Sequence, residues 1–398
     1  MKPNVAFVVQ RCGVDVNGGA EALCLSVARA MTAVWDVTVI TTCARDYVHW
    51  ENVYPEGEGW IDDVRVLRFP VDHQRDLKKF DRLSHDIIGR LDTAEQSEQD
   101  AWMRAQGPYS SKLLRYLEAS RDEYAAFYFY TYLYATTYFG LPLVREKAVL
   151  VPFAHDEWPL YLNAWADVFG MARRFVFSSP EEREFLRRRF PTLQLEGEVI
   201  GVGVAPPDTP KADRFTGRFG IHNSYVLYLG RIDEGKNCSL LIEYYEHYKQ
   251  RFDKNESDLM LFMIGRAAMP VPDRPWLRHF GFVDEQTKWD AIAGCRALIM
   301  PSHLESLSLV LLEAWKLGKP VLTNARSEVL VGQCRRSQGG LWFTDADEFG
   351  AALKLIVSDI GGKLGENGRR FMDSSYSWDA VIPAYERTLA SLRLEAEA

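Results

Sequence analysis

Short apolar runs and helical patterns alternate along the whole chain. "VAFVVQ" (5–10) is rich in β-formers, and "GGAEALCLSVARAMTA" with helical periodicity follows it. Further β-rich runs are "DVTVITT" (36–42), "VRVLRFP" (64–70), "AAFYFY" (125–130), "AVLVPFA" (148–154) and "RRFVFSS" (173–179). Continuous apolar strands of this type suit a parallel sheet covered by helices on both faces, which predicts an α/β protein. The stretch 72–123 breaks the alternation. It is charged and mostly helix-like, interrupted at Gly107-Pro108, and reads as a helical insertion. Residues 206–210 hold three prolines and read as the start of an interdomain linker. The pattern then restarts with "YVLYLGR" (225–231), "LMLFMIG" (259–265), "HFGFV" (279–283), "ALIMPS" (297–302) and "PVLTN" (320–324). The expected organisation is an N-terminal Rossmann-like domain at 1–205, a linker at 206–222, a second such domain at 223–378, and a C-terminal segment at 379–398, helical after Pro383. In two doubly wound domains of this kind, a ligand is expected in a cleft facing the carboxyl ends of the strands.

A length of 398 residues agrees with two domains. Apolar residues make up 47% and charged residues 26%, as in ordinary globular chains. No run approaches the roughly 18 apolar residues of a membrane span. The short run after Met1 reaches Arg11 at once and reads as a strand, not a secretory leader. A net charge of −8 speaks against general nucleic-acid binding. The six cysteines are scattered without a CxxC pair, which fits a reducing cytoplasm and no zinc or disulfide framework. Within 72–123, Trp102, Leu113, Leu114 and Tyr116 with Lys112 and Arg115 offer a second reading, an acceptor platform touching the inner face of a membrane.

The candidate chemistry concentrates in "PSHLESLSLVLLEAWKLGKPVL" (301–322), an apolar segment that retains Glu305 and Glu313. On one helix these two would lie about 80° and about 12 Å apart and could not pair. With Glu305 in a loop and Glu313 one to two turns into a helix, both can line one wall of a site. The amides of Leu307, Ser308 and Leu309 between them would then form an anion-attracting helix start. Carboxylates accept paired sugar hydroxyls, so the layout suits sugar, phosphates and sugar in series. The plain alternative is a solvated loop acid and a helix-surface charge. Gly318 stands where a helix C-terminal cap belongs. Arg231 and Lys236 follow a strand and precede a helix, so they either hold a pyrophosphate or are simply solvated. Gly18 and Gly19 after the first strand are either a plain turn or a close-approach loop for a phosphate. His155, Asp156 and Glu157 in "VPFAHDEW" sit at a strand's carboxyl edge, as cleft residues or as the start of a helix. His303 is a cleft residue or an ordinary loop residue. Asp62-Asp63 in "WIDDV" reads as a surface turn. No metal-ligand cluster is apparent, and "VVQRCGVDVNGG" lacks the G-x-G-x-x-G turn of a dinucleotide oxidoreductase.

The segment 305–320 resembles the E-x7-E signature of retaining family 4 glycosyltransferases, which have the GT-B fold. "YLGRIDEGKN" (228–237) is similar to that family's GRxxxxKN phosphate segment, and "NGGAE" (17–21) to its first loop. "VFSSPEEREFL" (176–186) and "VIGVGV" (199–204) resemble the end of its first domain and the strand leading to its linker. The resemblance runs over nearly the whole chain. It implies two Rossmann-like domains facing each other across a cleft, with the C-terminal helix crossing back to the first. It also implies transfer of a hexosyl group from a nucleotide diphosphate sugar, GDP- or UDP-linked, with mannose and glucose the first candidates. The acceptor would be a saccharide or lipid-linked saccharide of surface polysaccharide or lipopolysaccharide synthesis. By resemblance, Arg231 and Lys236 stabilise the leaving phosphate, Glu305 holds donor-sugar hydroxyls and Glu313 the ribose. Gly18, Gly19, Leu307, Ser308 and Leu309 line the donor, His155 and Asp156 assist at sugar or acceptor, and no cofactor or essential metal is required. The chain departs from the family pattern at Leu307-Ser308, where many members carry Phe-Gly. Alternatives are another GT-B enzyme (a nucleotide-sugar epimerase or a phosphorylase-like enzyme) and a catalytically inert binding module.

Overall fold

The computed structural model describes residues 2–16, 18–253 and 258–396, and it resolves the alternation into two parallel-sheet units. Unit 1 comprises Met1–Val202 with Trp378–Ala398, and unit 2 comprises Gly203–Ser377.

In unit 1 the strands are β1 (Asn4–Val8), β2 (Asp36–Thr42), β3 (Gly57–Ile61), β4 (Val64–Phe69), β5 (Ala126–Tyr130), β6 (Ala148–Val151), β7 (Arg174–Phe177) and β8 (Gly197–Val199). Their order across the sheet is β3-β4-β2-β1-β5-β6-β7-β8. All pairs are parallel except β3 with β4, a hairpin turning at Asp62-Asp63. β5 is buried along its whole length, as a central strand covered on both faces must be. "VIGVGV" contributes only its first residue to β8; the chain leaves the sheet after Val199.

The stretch between β4 and β5 forms helices Leu77–Ile88, Gln96–Gln106 and Ser111–Ala119. It carries much of the core of unit 1. Trp102 is 1% exposed, packs on Phe80 and Trp158, and donates its indole N–H to Ser84 Oγ at 2.9 Å. Leu113 is equally buried, and Leu114 and Tyr116 pack against the same cluster. Lys112 pairs with Glu56. Of the two readings of this stretch, these residues follow the helical insertion: Trp102 and Leu113 are buried in the core of unit 1, and Leu114 and Tyr116 pack half-buried against it. Among the described residues no helix is long and apolar enough to cross a membrane.

The C-terminal helix spans Trp378–Ala396, within one residue of the segment expected from 379, and it runs through Pro383 instead of starting after it. Pro383 is the sixth residue of the helix, in its second turn, and so removes the N–H that would otherwise bond the Asp379 carbonyl. Tyr385 is fully buried against Tyr128 and Trp35, and Arg387 pairs with Glu198 at 2.9 Å.

Unit 2 holds β9 (Tyr225–Leu229), β10 (Met260–Ile264), β11 (Leu277–His279), β12 (Leu298–Met300), β13 (Val321–Asn324) and β14 (Gly340–Phe343). They are all parallel, in the order β11-β10-β9-β12-β13-β14. The expected linker contains a helix, Ala212–Phe219, that belongs to this unit. Phe215 packs on Tyr225, Phe262 and Phe280. Asp290, 2% exposed, accepts the Lys211 amide at 2.8 Å and pairs with Arg214.

Candidate functional site

In unit 2 the strand order reverses between β9 and β12, because the chain builds outward from β9 first through β10 and then through β12. At such a switch point neighbouring loops diverge and leave a crevice at the carboxyl ends of the strands. The loop after β9 carries Arg231 and Lys236; the loop after β12 carries His303 and Glu305. These two sequence-remote motifs meet there. Lys236 Nζ lies 2.7 Å from Glu305 Oε1, and Arg231 pairs with Asp233. Asp233 also caps the short turn Glu234–Lys236, accepting the Lys236 amide at 2.9 Å. Asn237 donates to the Pro301 carbonyl and lies 2.8 Å from His303 Nδ1, and Asn324 donates to the same carbonyl from the end of β13. The loops after β9, β12 and β13 are thus tied through one oxygen. The loop after β10 presses in as well: a Cβ on Gly265 would stand 1.8 Å from the Gly230 carbonyl oxygen.

Glu305 lies in the loop, and the helix Leu309–Lys316 begins four residues later. Glu313 sits on its second turn, about 6 Å along the axis. Of the two layouts open to the sequence, the structure has the split one. Gly318 follows the helix with φ 64, as a C-terminal capping glycine does. Leu307 is buried, so it can offer the site only its backbone; Leu309 is half-buried. Ser308 adopts φ 68, a backbone conformation natural to the glycine of the family pattern, and its buried hydroxyl makes no hydrogen bond. Glu313 is 7% exposed. Lys288, on the helix Glu285–Gly294, places Nζ 2.6 Å from Glu313 Oε1 and 2.7 Å from Glu285 Oε1, while Glu313 Oε2 is buried without a partner. Burial pushes the Glu313 carboxyl upward, and Lys288 opposes that shift. Burial by itself would lower Lys288, but Glu313 and Glu285 outweigh it and hold the ammonium above its ordinary value.

Unit 1 has its own switch point, between β1 and β5. Gly18 and Gly19 follow β1 and open the helix Gly19–Met31; Asn17 of the same motif lies outside the described residues. Gly18 is required by its own chain, because a Cβ there would stand 2.0 Å from Glu21 Oε2. Glu21 is held by Arg11 through a buried ion pair of 2.5 Å. At Gly19 a Cβ would meet nothing, so that backbone is open.

His155, Asp156 and Glu157 follow β6. His155 Nδ1 lies 3.2 Å from the Phe153 carbonyl, and Nε2 lies 3.8 Å from Glu157. Tyr132 donates to Glu157 at 2.8 Å and Tyr161 to Asp156 at 2.7 Å. Glu157 precedes the short turn Trp158–Tyr161, but its carboxylate makes no capping bond. Two groups here carry no sequence signal. Phe153 has φ 49, rare for a bulky residue. Glu182, 1% exposed on the helix Pro180–Arg189, accepts the Ala154 amide at 2.7 Å and the Ser178 amide at 2.6 Å. It therefore pins the strained loop that carries His155. Burial pushes its carboxyl up to about 8, against the two amides that favour the charged form.

Residues 212–371, most of unit 2, match the family model Glycosyl transferases group 1. Similar folds cover the full chain. Sucrose-phosphate synthase from Thermosynechococcus elongatus matches with a TM-score of 0.71 at 18% identity, covering 100% of both chains. The fold is GT-B. HepE of Anabaena, solved with UDP and glucose, matches with a TM-score of 0.69 at 13% identity over 98% of this chain and 100% of that one. WaaG, described as a glycosyltransferase involved in lipopolysaccharide biosynthesis, gives 0.60 at 14% identity, over 98% and 99%. In sequence, the chain is 29% identical over 204 residues to the lipopolysaccharide core biosynthesis glycosyltransferase LpsE of Rhizobium meliloti (strain 1021). That match takes in 49% of this chain and 55% of LpsE, so the chain spans about half the length of that relative. Among the described residues, no group of three or more His, Cys, Asp or Glu side chains is arranged to hold a metal ion.

Proposed function

We propose that this protein is a retaining GT-B glycosyltransferase of the family 4 type, moving a hexosyl group from a nucleotide diphosphate sugar to a saccharide or lipid-linked saccharide. The observation that carries the reading is the meeting of Arg231, Lys236 and Glu305 at the switch point of the second sheet. An ammonium has three donors, so Lys236 can hold Glu305 with one and phosphate oxygens with the others. Arg231 adds a planar cationic fork suited to a diphosphate. Together they stabilise the negative charge that grows on the leaving phosphate, without a metal ion. Glu305 accepts hydroxyls of the donor sugar, Glu313 those of the ribose, and the amides at Leu307, Ser308 and Leu309 contact donor sugar or phosphate.

Since no carboxylate here is assigned as a nucleophile, the step is a front-face substitution. The acceptor oxygen bonds to the anomeric carbon on the face the phosphate leaves, and the phosphate takes the acceptor proton. His155 and Asp156 of unit 1 are the groups assigned to the sugar or the acceptor hydroxyl, with Gly18 and Gly19 as donor contacts. UDP- and GDP-linked glucose and mannose are the donors to try first, and the HepE complexes, solved with UDP and with UDP-glucose, support including uridine. The resemblance to LpsE supports a lipopolysaccharide-core acceptor. The test is transfer from these donors to core saccharides, with the product's anomeric configuration read by NMR. Retained configuration, lost in Arg231→Ala, agrees; an inverted product, or full turnover in Arg231→Ala, overturns it.

A further inference from the structure

We propose that Lys288 is a positioning residue for nucleotide binding, holding one oxygen of Glu313 so that the other is presented to a pair of vicinal ribose hydroxyls. The inference rests on the assignment of Glu313 to the ribose and goes further, naming the group that makes this buried acid usable. A carboxylate this deep in the protein tends to take up a proton, because burial disfavours its charge. A protonated Glu313 would put an O–H where the ribose needs an acceptor. Lys288 opposes this from the neighbouring helix: its ammonium stands 2.6 Å from Oε1 and leaves Oε2 buried and unpartnered. The charged groups acting on Glu313 are Lys288 and Glu285, both on the helix Glu285–Gly294. Glu285 holds the same ammonium at 2.7 Å, one turn back, so Lys288 is tethered in place and not free to swing to a phosphate. The resulting site is a carboxylate fixed through one oxygen, whose open oxygen has two lone pairs that can accept both hydroxyls of a cis-diol.

The test measures binding of UDP and GDP, and of their 2′-deoxy counterparts, to the full chain by calorimetry at pH 6 and pH 8. The wild type should favour the ribonucleotide by about tenfold, the equivalent of about 1.4 kcal/mol. In Lys288→Met that preference should fall toward unity. The remaining affinity should weaken toward the lower pH, because Glu313 without the ammonium takes up a proton more readily. Lys288→Arg should restore the preference; Lys288→Gln, which keeps a donor without the charge, should not, and serves if the Met variant does not fold. An unchanged preference in both Lys288→Met and Lys288→Gln, beside a lost preference in Glu313→Ala, overturns the role of Lys288 alone. An unchanged preference in Glu313→Ala overturns the ribose assignment and this proposal with it.

Discussion

Ser308→Gly should make the protein more stable while leaving its nucleotide site intact. Ser308 sits at φ 68 with a buried hydroxyl that makes no hydrogen bond. Holding a side-chain-bearing residue in this backbone region costs about 1–2 kcal/mol. Burying an unpartnered hydroxyl costs about 1–3 kcal/mol more. Glycine removes both costs, but it adds about 0.5–1 kcal/mol of conformational freedom to the unfolded chain. The expected gain is about 1–4.5 kcal/mol. For a unit the size of Gly203–Ser377, that raises Tm by about 2–18 °C. Differential scanning calorimetry reads the shift, and UDP and GDP titrations of the same variant read the site. If the backbone amide is what serves the donor, nucleotide affinity stays within about twofold. A lower Tm would refute the strain argument. A higher Tm with lost nucleotide affinity would refute the assignment to the backbone and make the hydroxyl the ligand.

Glu305→Gln keeps the shape of the site and removes the charge facing Lys236. Transfer should fall by about 100-fold or more while free-nucleotide affinity holds or rises, and steady-state kinetics with unchanged kcat would refute this. Glu182 binds its proton more tightly in the native state than its ordinary carboxyl range allows, because its value is raised to about 8. Its contribution to stability is therefore present at low pH and lost as pH rises toward 8, by at most about 1.4 kcal/mol per pH unit. Denaturant titrations should show this slope between pH 5 and 8 in the wild type and its loss in Glu182→Gln; parallel profiles would contradict it. Tyr385→Ala should destabilise unit 1 by about 3–5 kcal/mol, since it empties a fully buried ring site between Tyr128 and Trp35. A change below about 1 kcal/mol would show that the C-terminal helix is not integral to that core.

The strands that were legible in the sequence are the buried central ones, where both faces are covered and the apolar run is unbroken. β3 and β14 were not, because "GEGWI" and "GLWF" are short, glycine-containing edge strands with an exposed tryptophan. "HFGFV" looks like a strand because it is an apolar run, yet the half-buried Phe280 ring is covered by Phe215 and Phe219 of the helix Ala212–Phe219. The ladder ends at His279 instead. That helix itself was hidden by the prolines ahead of it. In the site, Glu305, Glu313, Arg231 and Lys236 stand out because loop and helix geometry fixes their spacing along the chain. Lys288 and Glu182 stay silent because their partners are set by packing: Glu313 is 25 positions from Lys288, and Ala154 is 28 from Glu182. Tryptophan and leucine on amphipathic helices suggested a lipid face at 102–116, where periodicity alone does not tell a core-facing stripe from a membrane-facing one.

Binding of UDP, GDP, dTDP and ADP to the wild type and to Arg231→Ala and Lys236→Ala, measured by calorimetry and thermal shift, tests the central claim most directly. At least one diphosphate should bind the wild type and stabilise it by about 4 kcal/mol at 1,000 times its Kd. Both variants should lose most of that affinity with an unchanged Tm in the absence of nucleotide. A wild type that no diphosphate stabilises, or variants that bind as the wild type does, would contradict a donor site at Arg231, Lys236 and Glu305.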